Sequence, residues 1–450
     1  MDLFGTDGIR DRAGEGRLAP STVVAVGRAL AQQARRRQAQ GVLRVALGRD
    51  ARPSGPALVA QLAQGLRAGG ATPVDLGLLP TPAVAWAAAA WGYPLALMVS
   101  ASHNPAPDNG IKAFSTGGRK LTRAEEQEVE SLVGASPRQA AGPGPALECE
   151  DGAARYVRET VDLLGGAGAL AGQHVVVDLA AGATTSTAVP VLQALGARVH
   201  ALHPAGSRPI NEGCGSEHPE AWLAAVRREG AAAGLAFDGD GDRVLVADET
   251  GQLLDGDDLL ALLAEDMQAR GGLGVPCVVA TVMSNLGLEE RLRLLGLALE
   301  RAQVGDKHVA ERMLARGACL GGEASGHILL ARPVPGGGQV LLGDALVAGV
   351  RALEAVRRLG RSLSAQRALR ARHPQVLRNL RATRRRDLAS WASLQQAVEA
   401  EERAFGGSGR VLVRWSGTEP LLRIMVEGRD AARVAEAADR LEAEARAGLG

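Results

Sequence analysis

Ser102 sits in Met98-Val99-Ser100-Ala101-Ser102-His103-Asn104-Pro105, and Lys112 closes the following Asp108-Asn109-Gly110-Ile111-Lys112. A hydroxyl, an imidazole, an amide and an ammonium are thus delivered to one short region. A second cluster is Asp238-Gly239-Asp240-Gly241-Asp242-Arg243. Its three carboxylates at alternate positions converge on one point, a hard-oxygen set suited to Mg²⁺ with sites left open for phosphate oxygens. An EF-hand loop would match its first, third and fifth positions, but Arg243 occupies the sixth, where the sharp turn needs glycine. A third cluster is Arg414-Trp415-Ser416-Gly417-Thr418-Glu419-Pro420, with Arg423 beyond it. Backbone N–H groups turned by Gly417, the hydroxyls of Ser416 and Thr418 and two guanidinium forks make an anion site suited to a phosphate dianion. Glu323 and Ser325 lie among glycines in Gly321 to His327, where a carboxylate and a hydroxyl can meet sugar hydroxyls. Near the start, Phe4-Gly5-Thr6-Asp7-Gly8-Ile9-Arg10 forms a compact loop able to aim Arg10 at an anion.

These residues need strands and helices to hold them. Leu95 to Val99 is an apolar run that reads as a buried strand of a parallel sheet, and ligands bind beyond the carboxyl ends of such strands. Helix and strand patterns alternate through residues 1–152, again through 153–251 and again through 252–368. Within them, Thr122 with Glu125 reads as a capping box. Leu235 to Phe237 is a short strand feeding the aspartate loop. Ala135 to Pro145, rich in Pro, Gly and Ala, reads as a linker. Residues 369–450 change character, running strand, helix, strand, strand, helix, with the Arg414 loop between two strands. The expected fold is α/β in four domains: three similar mixed α/β units and a smaller C-terminal α+β domain around a central cleft.

The bulk numbers exclude several classes. Lys plus Arg number 51 and Asp plus Glu 50, a net charge of +1 that gives no support for nucleic-acid or membrane binding. Aromatics are 2%, too few for a base-stacking platform. Cys149, Cys214, Cys277 and Cys319 lack zinc-ligand spacing, so buried thiols in a reducing cytoplasm are expected. Met1-Asp2-Leu3-Phe4 does not read as a signal peptide. The longest apolar stretch near Ala83 to Ala90 falls far short of the roughly twenty residues that span a bilayer.

Taken together and in this order, the serine, aspartate, Gly-Glu-Ala-Ser-Gly-His and Arg-Trp-Ser-Gly-Thr-Glu-Pro loops resemble those of the α-D-phosphohexomutases, over essentially the whole chain. Asn211-Glu212-Gly213-Cys214-Gly215, Met283-Ser284-Asn285-Leu286-Gly287-Leu288 and Val304-Gly305-Asp306-Lys307 extend the resemblance toward members acting on glucosamine phosphates. Departures include Asp11 where a glycine is usual, Pro209 and Ala181 for asparagines, Ala345 for a glycine, and Ala324 for a glutamine in the sugar loop.

The resemblance implies that Ser102 is a phosphoserine that passes its phosphoryl group to a hexose phosphate. The metal site would be Ser102, Asp238, Asp240 and Asp242 around one Mg²⁺. Lys112 would be the general acid/base, a role a lysine can fill if neighbouring cations lower its pKa; otherwise it would be a surface ion pair. Arg10, His103 and His327 would assist at the same centre. Arg243, Lys307, Glu323, Ser325, Arg414, Ser416, Gly417, Thr418 and Arg423 would hold the substrate. The implied reaction interconverts glucosamine 6-phosphate and glucosamine 1-phosphate through a 1,6-bisphosphate, feeding UDP-N-acetylglucosamine and cell-wall synthesis. A sugar 1,6-bisphosphate or phosphorylation would activate the enzyme, as monomer or homodimer in the cytoplasm. A hinge near residue 368 would let the last domain open. Glucose or mannose phosphates are alternative substrates, and a silent sugar-phosphate-binding regulator is the alternative of another class.

Overall fold

The computed structural model describes residues 3–5, 7–38, 40–135, 147–416 and 420–449. Most of the expected linker, from residue 136 onward, and Gly417 and Thr418 of the phosphate loop lie outside the described residues.

Among the described residues, four sheets succeed one another. The first has seven strands, in the order Ile9–Arg12, Asp108–Ser115, Leu95–Val99, Arg44–Arg49, Thr72–Leu78 and Glu148–Cys149, with Arg119–Lys120 paired to Asp108–Ser115. The second and third have five strands each, and the fourth has three. The first three are flanked by helices such as Pro20–Arg37, Gly55–Ala68, Gly256–Ala269 and Ala345–Arg358. The last is an antiparallel sheet, Gln375–Arg381, Leu421–Gly428 and Gly409–Trp415, with the helices Ala392–Phe405 and Ala431–Leu449.

The parallel setting expected for Leu95–Val99 needs correcting. It runs parallel to Arg44–Arg49 but antiparallel to Asp108–Ser115. The polar start of that neighbour, Asp108-Asn109-Gly110, hides a strand whose later residues are all buried. The hairpin matters to the site, because it sets Lys112 in register with Met98, four residues before Ser102. Buried thiols are found at Cys214 and Cys277, whereas Cys149 is exposed on its two-residue edge strand.

One apolar core runs through the first three units, from Val84 and Trp86 through Leu179 and Leu235 to Leu260 and Leu353. Polar ties follow the same seam. Tyr156 Oη donates to Asp344 Oδ2 at 2.6 Å, and Arg332 lies between Asp344 and the ring of Trp86. A continuous core resists sliding, so loops borne by different sheets keep a fixed separation. The last unit has its own core around Trp391, Leu422 and Ile424. The chain reaches it through a joint that is pinned to the third unit: Arg370 is buried between Asp255 and Asp258, and His373 O accepts from Asn285 Nδ2. Among the described residues no helix is long and apolar enough to cross a membrane.

Candidate active site

Ser102 follows the end of a strand whose five residues are all buried. Its φ is 52°, a left-handed conformation uncommon for residues with a Cβ. The loop so bent brings Oγ to 2.7 Å from Asp238 Oδ2, and the His103 Nδ1 lies farther off at 3.4 Å. Burial, helped by Arg243, lowers the pKa of His103 from its ordinary value, so the ring is neutral at neutral pH.

The aspartate loop leaves the strand Ala233–Phe237 at the rim facing Ser102. Its glycines are there for close approach. A Cβ on Gly239 would come within 2.8 Å of the Ser102 carbonyl oxygen, and Gly241 has φ 70° against Thr184. Asp238, Asp240 and Asp242 are all buried, and one carboxylate oxygen from each lies within 4.8 Å of the others. Asp238 Oδ1 accepts from the N–H groups of Asp242 and Arg243, both at 3.1 Å. Asp240 Oδ1 and Asp242 Oδ1 are buried without a hydrogen-bond partner. Bare buried carboxylate oxygens are costly, and a hard divalent cation is the group that satisfies them. The donor set therefore fits a metal such as Mg²⁺. Burial and then the Asp242 and Asp240 charges hold the Asp238 carboxyl well above the usual carboxylate range. Burial also pushes Asp240 up, but Lys112 and a hydrogen bond from Thr81 outweigh it, and its pKa ends below the ordinary value.

Lys112 is 2% exposed, so it is no surface ion pair. Its Nζ lies 2.9 Å from Asp240 Oδ2, 3.1 Å from Asp242 Oδ2 and 3.2 Å from Asp7 Oδ2. Neighbouring cations were the expectation for lowering its pKa; the structure surrounds it mainly with carboxylates instead. Burial alone would lower the pKa, and Asp240, Asp7 and Asp242 raise it well above the ordinary value. Lys112 is therefore held as an ammonium among carboxylates.

The remaining residues fall around this centre. Arg10 donates to Asp7 Oδ2 at 2.6 Å and to Asn104 Oδ1 at 3.3 Å. His327 lies between Asp242 and Asp306, 3.7 and 3.8 Å away. Lys307 Nζ is 3.3 Å from Glu126. Arg243 reaches Glu217 at 3.4 Å. Glu323 accepts from Gly305 N at 3.3 Å, and Ser325 is exposed on the same loop. That loop is hung on the aspartate unit, since Val244 N donates to Gly326 O. Beside the loop a cavity of about 360 Å³ is lined by Thr81, Lys120, Asp242, Lys307 and His327 among others.

Arg414 and Arg423 belong to the fourth sheet, where they are directly opposed in register, and Ser416 follows the strand Gly409–Trp415. Burial and then Arg423 lower the pKa of Arg414 from its ordinary value, as expected of like charges held together; a dianion relieves that repulsion. Ser416 is buried, and its carbonyl oxygen accepts from Arg385.

Some of the constellation was not singled out from sequence. Asp7 receives Arg10, Lys112 and Lys120, and Lys120 also reaches Asp306. Thr81 donates to Asp240 both from Oγ1 and from its backbone N–H. The signals were present but slight: Asp7 sits within the glycine-bracketed opening loop, and Thr81 between Pro80 and Pro82.

Comparison with known proteins matches the chain in all four of its units. Four successive models described as phosphoglucomutase/phosphomannomutase match: alpha/beta/alpha domain I over residues 1–139, domain II over 154–251, domain III over 255–372 and the C-terminal domain over 377–444. A phosphoglucosamine mutase of Symbiobacterium thermophilum is 44% identical over 438 residues, 96% of each chain. One from Moorella thermoacetica is 44% identical over 439 residues, 95% of each. Among solved structures, a phosphoglucomutase/phosphomannomutase family protein of Burkholderia thailandensis superposes with TM-score 0.80 at 26% identity, covering 99% of this chain and 97% of its own. The N-acetylphosphoglucosamine mutase of Aspergillus fumigatus, solved with GlcNAc-6P and magnesium, shares the fold with TM-score 0.65 at 16% identity, covering 100% and 96%. With all four domains matched in order and relatives of this identity spanning nearly its full length, the chain belongs to the phosphoglucosamine mutase family of phosphohexomutases.

Proposed function

We propose that this enzyme interconverts glucosamine 6-phosphate and glucosamine 1-phosphate through a phosphorylated Ser102 and a 1,6-bisphosphate. The observation that carries the reading is the hydroxyl of Ser102 aimed at a buried aspartate cluster with two unpartnered oxygens. Asp238, Asp240 and Asp242, joined by an oxygen of phosphorylated Ser102, are the residues that would hold Mg²⁺. When bound, the ion withdraws charge from the transferring phosphoryl group.

In the first half-reaction O1 of glucosamine 6-phosphate attacks the phosphorus, and the bond from phosphorus to Ser102 Oγ breaks. Lys112, charged at the start, gives its proton to the departing serine oxygen and takes the proton released from the sugar hydroxyl. Its charge is the same before and after. Little covalent help is needed, because phosphoryl transfer is governed by alignment and charge neutralisation. Arg10 and Arg243 add positive charge near the transferring group; His103 and His327 orient and relay. The bisphosphate then turns over, and Ser102 recovers a phosphoryl group from O6. Glu323 and Ser325 hold sugar hydroxyls. Arg414, Ser416 and Arg423, with Gly417 and Thr418, grip the phosphate that is not reacting; Lys307 assists near the sugar. Binding energy at that remote phosphate serves to position the reacting end. A sugar 1,6-bisphosphate primes Ser102.

The substrate assignment rests on the named relatives, since Ala324 offers only its backbone to the fold, accepting from Gly256 N. Comparing kcat/KM for glucosamine, mannose and glucose 1-phosphates tests it. The glucosamine compound should lead by at least tenfold; parity with mannose or glucose phosphate would reassign the substrate.

A further inference from the structure

Arg52 is fully buried, and all five of its N–H groups are spent on Asp50 and on the carbonyls of the Ser102 loop, not on the metal cluster. Nε donates to Asp50 Oδ2 at 2.9 Å. Nη1 donates to the carbonyl oxygens of Pro105 and Asp108, the latter at 2.8 Å. Nη2 donates to the carbonyl oxygens of Ser102 and Asn104, both at 2.8 Å. One planar fork thus spans the loop from residue 102 to residue 108.

Asp50 completes a ring around the serine. Ser100 Oγ donates to Asp50 Oδ2 at 2.6 Å and accepts from Ser102 N–H at 2.8 Å. The N–H and the C=O of Ser102 are therefore both held by the Asp50–Arg52 pair, one through Ser100 and the other directly. Asn211, itself left-handed at φ 64°, adds a bond from Nδ2 to the same carbonyl at 2.8 Å from the second unit. Ser102 has an uncommon φ of 52°, and holding such a residue takes constraints on both sides of it. Only arginine offers five donors in a rigid plane; lysine has three, on a flexible stem.

We propose that Arg52 is a positioning residue for phosphoryl transfer: with Asp50 and Ser100 it locks the peptide of Ser102 so that Oγ points at Asp238. The inference rests on the reading of Ser102 as the phosphoryl carrier. It acts through alignment, where a displacement of about 1 Å costs about 100-fold in rate.

Arg52→Lys keeps the charge and removes the fork; Ser100→Ala keeps Asp50 and Arg52 and removes one strand of the ring. Each full-length variant, loaded with Mg²⁺, is assayed for kcat, KM, thermal midpoint and the intact mass reached with glucosamine 1,6-bisphosphate. The division of the labelled phosphoryl group between glucosamine 6-phosphate and water is followed as well. The expected result is a kcat lowered about 100-fold for Arg52→Lys and about tenfold for Ser100→Ala. KM should stay within about twofold of wild type, and a larger share of label should pass to water. Wild-type kcat and partition in a folded Arg52→Lys would overturn the proposal, as would losses in KM and kcat that simply follow a fallen thermal midpoint. If Arg52→Lys does not fold, Ser100→Ala decides alone, and an unchanged kcat there overturns it. A wild-type protein whose mass never rises at Ser102 removes the carrier reading and this inference together; a labelled wild type with an unaffected variant removes this inference alone.

Discussion

Ser102 Oγ donates to Asp238 Oδ2 at 2.7 Å, across 136 residues of sequence and between loops borne by two different sheets. The hydroxyl and the carboxylate meet because the first and second units share one apolar core and because Gly239 lets the two loops touch. The chemistry proposed here depends on that meeting.

The aspartate cluster should bind one divalent ion and depend on it. Chelation should abolish turnover, Mg²⁺ should restore it, and the ion should raise the thermal midpoint by relieving the unpartnered oxygens of Asp240 and Asp242. Asp240→Asn should weaken Mg²⁺ binding about 10-fold or more, read by calorimetry. Undiminished affinity in that variant would exclude the cluster.

Lys112→Met should lower kcat by about 10²- to 10⁴-fold. Removing one partner from a buried ionic cluster also costs about 3–5 kcal/mol, so the metal-free variant should melt earlier than metal-free wild type. Mg²⁺ should recover more stability in the variant than in wild type, because it takes over the charge lost from Asp240 and Asp242. A near-normal kcat would remove Lys112 from the reaction.

Paired Arg414 and Arg423 should act on binding. Arg414→Ala should raise KM for glucosamine 1-phosphate about 10-fold, measured by steady-state kinetics. The rate at which the phosphoenzyme loses label to water in the absence of sugar should not change. Acceleration of that loss would place Arg414 at the reacting end instead.

The acid limb of stability should involve Glu125. Its hydrogen bonds from Arg119 lead the causes that lower its pKa to about 2, against 4.5 ordinarily, and Thr122 adds to them. A depressed carboxyl stabilises the fold fully above its unfolded value and loses that contribution as pH falls from about 4.5 toward 2. Thermal midpoints of wild type and Glu125→Gln, taken from pH 6 to pH 2.5, should therefore converge as acid is added. A constant gap would contradict the assignment.

Much of this was legible in the chain before any coordinates. Carboxylates at 238, 240 and 242 with glycines between read as a metal loop, and the fold buries all three with an oxygen of each within 4.8 Å of the others. Thr122 and Glu125 announce their own cap, and the two share the expected bonds. What stayed hidden depends on distance along the chain. Lys120 finds Asp7 across 113 residues and Asp306 across 186, and no local pattern reports such a pairing. The carboxylate surroundings of Lys112 stay hidden for the same reason: they come from two segments far from it in sequence, Asp7 in the opening loop and Asp240 with Asp242 in the aspartate loop. Arg52 lay unremarked within Gly48-Arg49-Asp50-Ala51-Arg52, since nothing local shows an arginine turned inward under a loop fifty residues away.

Intact-mass measurement on wild type and Ser102→Ala, after incubation with Mg²⁺ and glucosamine 1,6-bisphosphate and then with excess glucosamine 6-phosphate, bears most directly on the phosphoryl carrier. Wild type should gain the mass of one phosphoryl group at Ser102 and surrender it to the sugar, while the alanine variant should gain none and interconvert nothing. A variant that still turned over at the wild-type rate, or a wild type that gained the mass at another residue, would contradict the account.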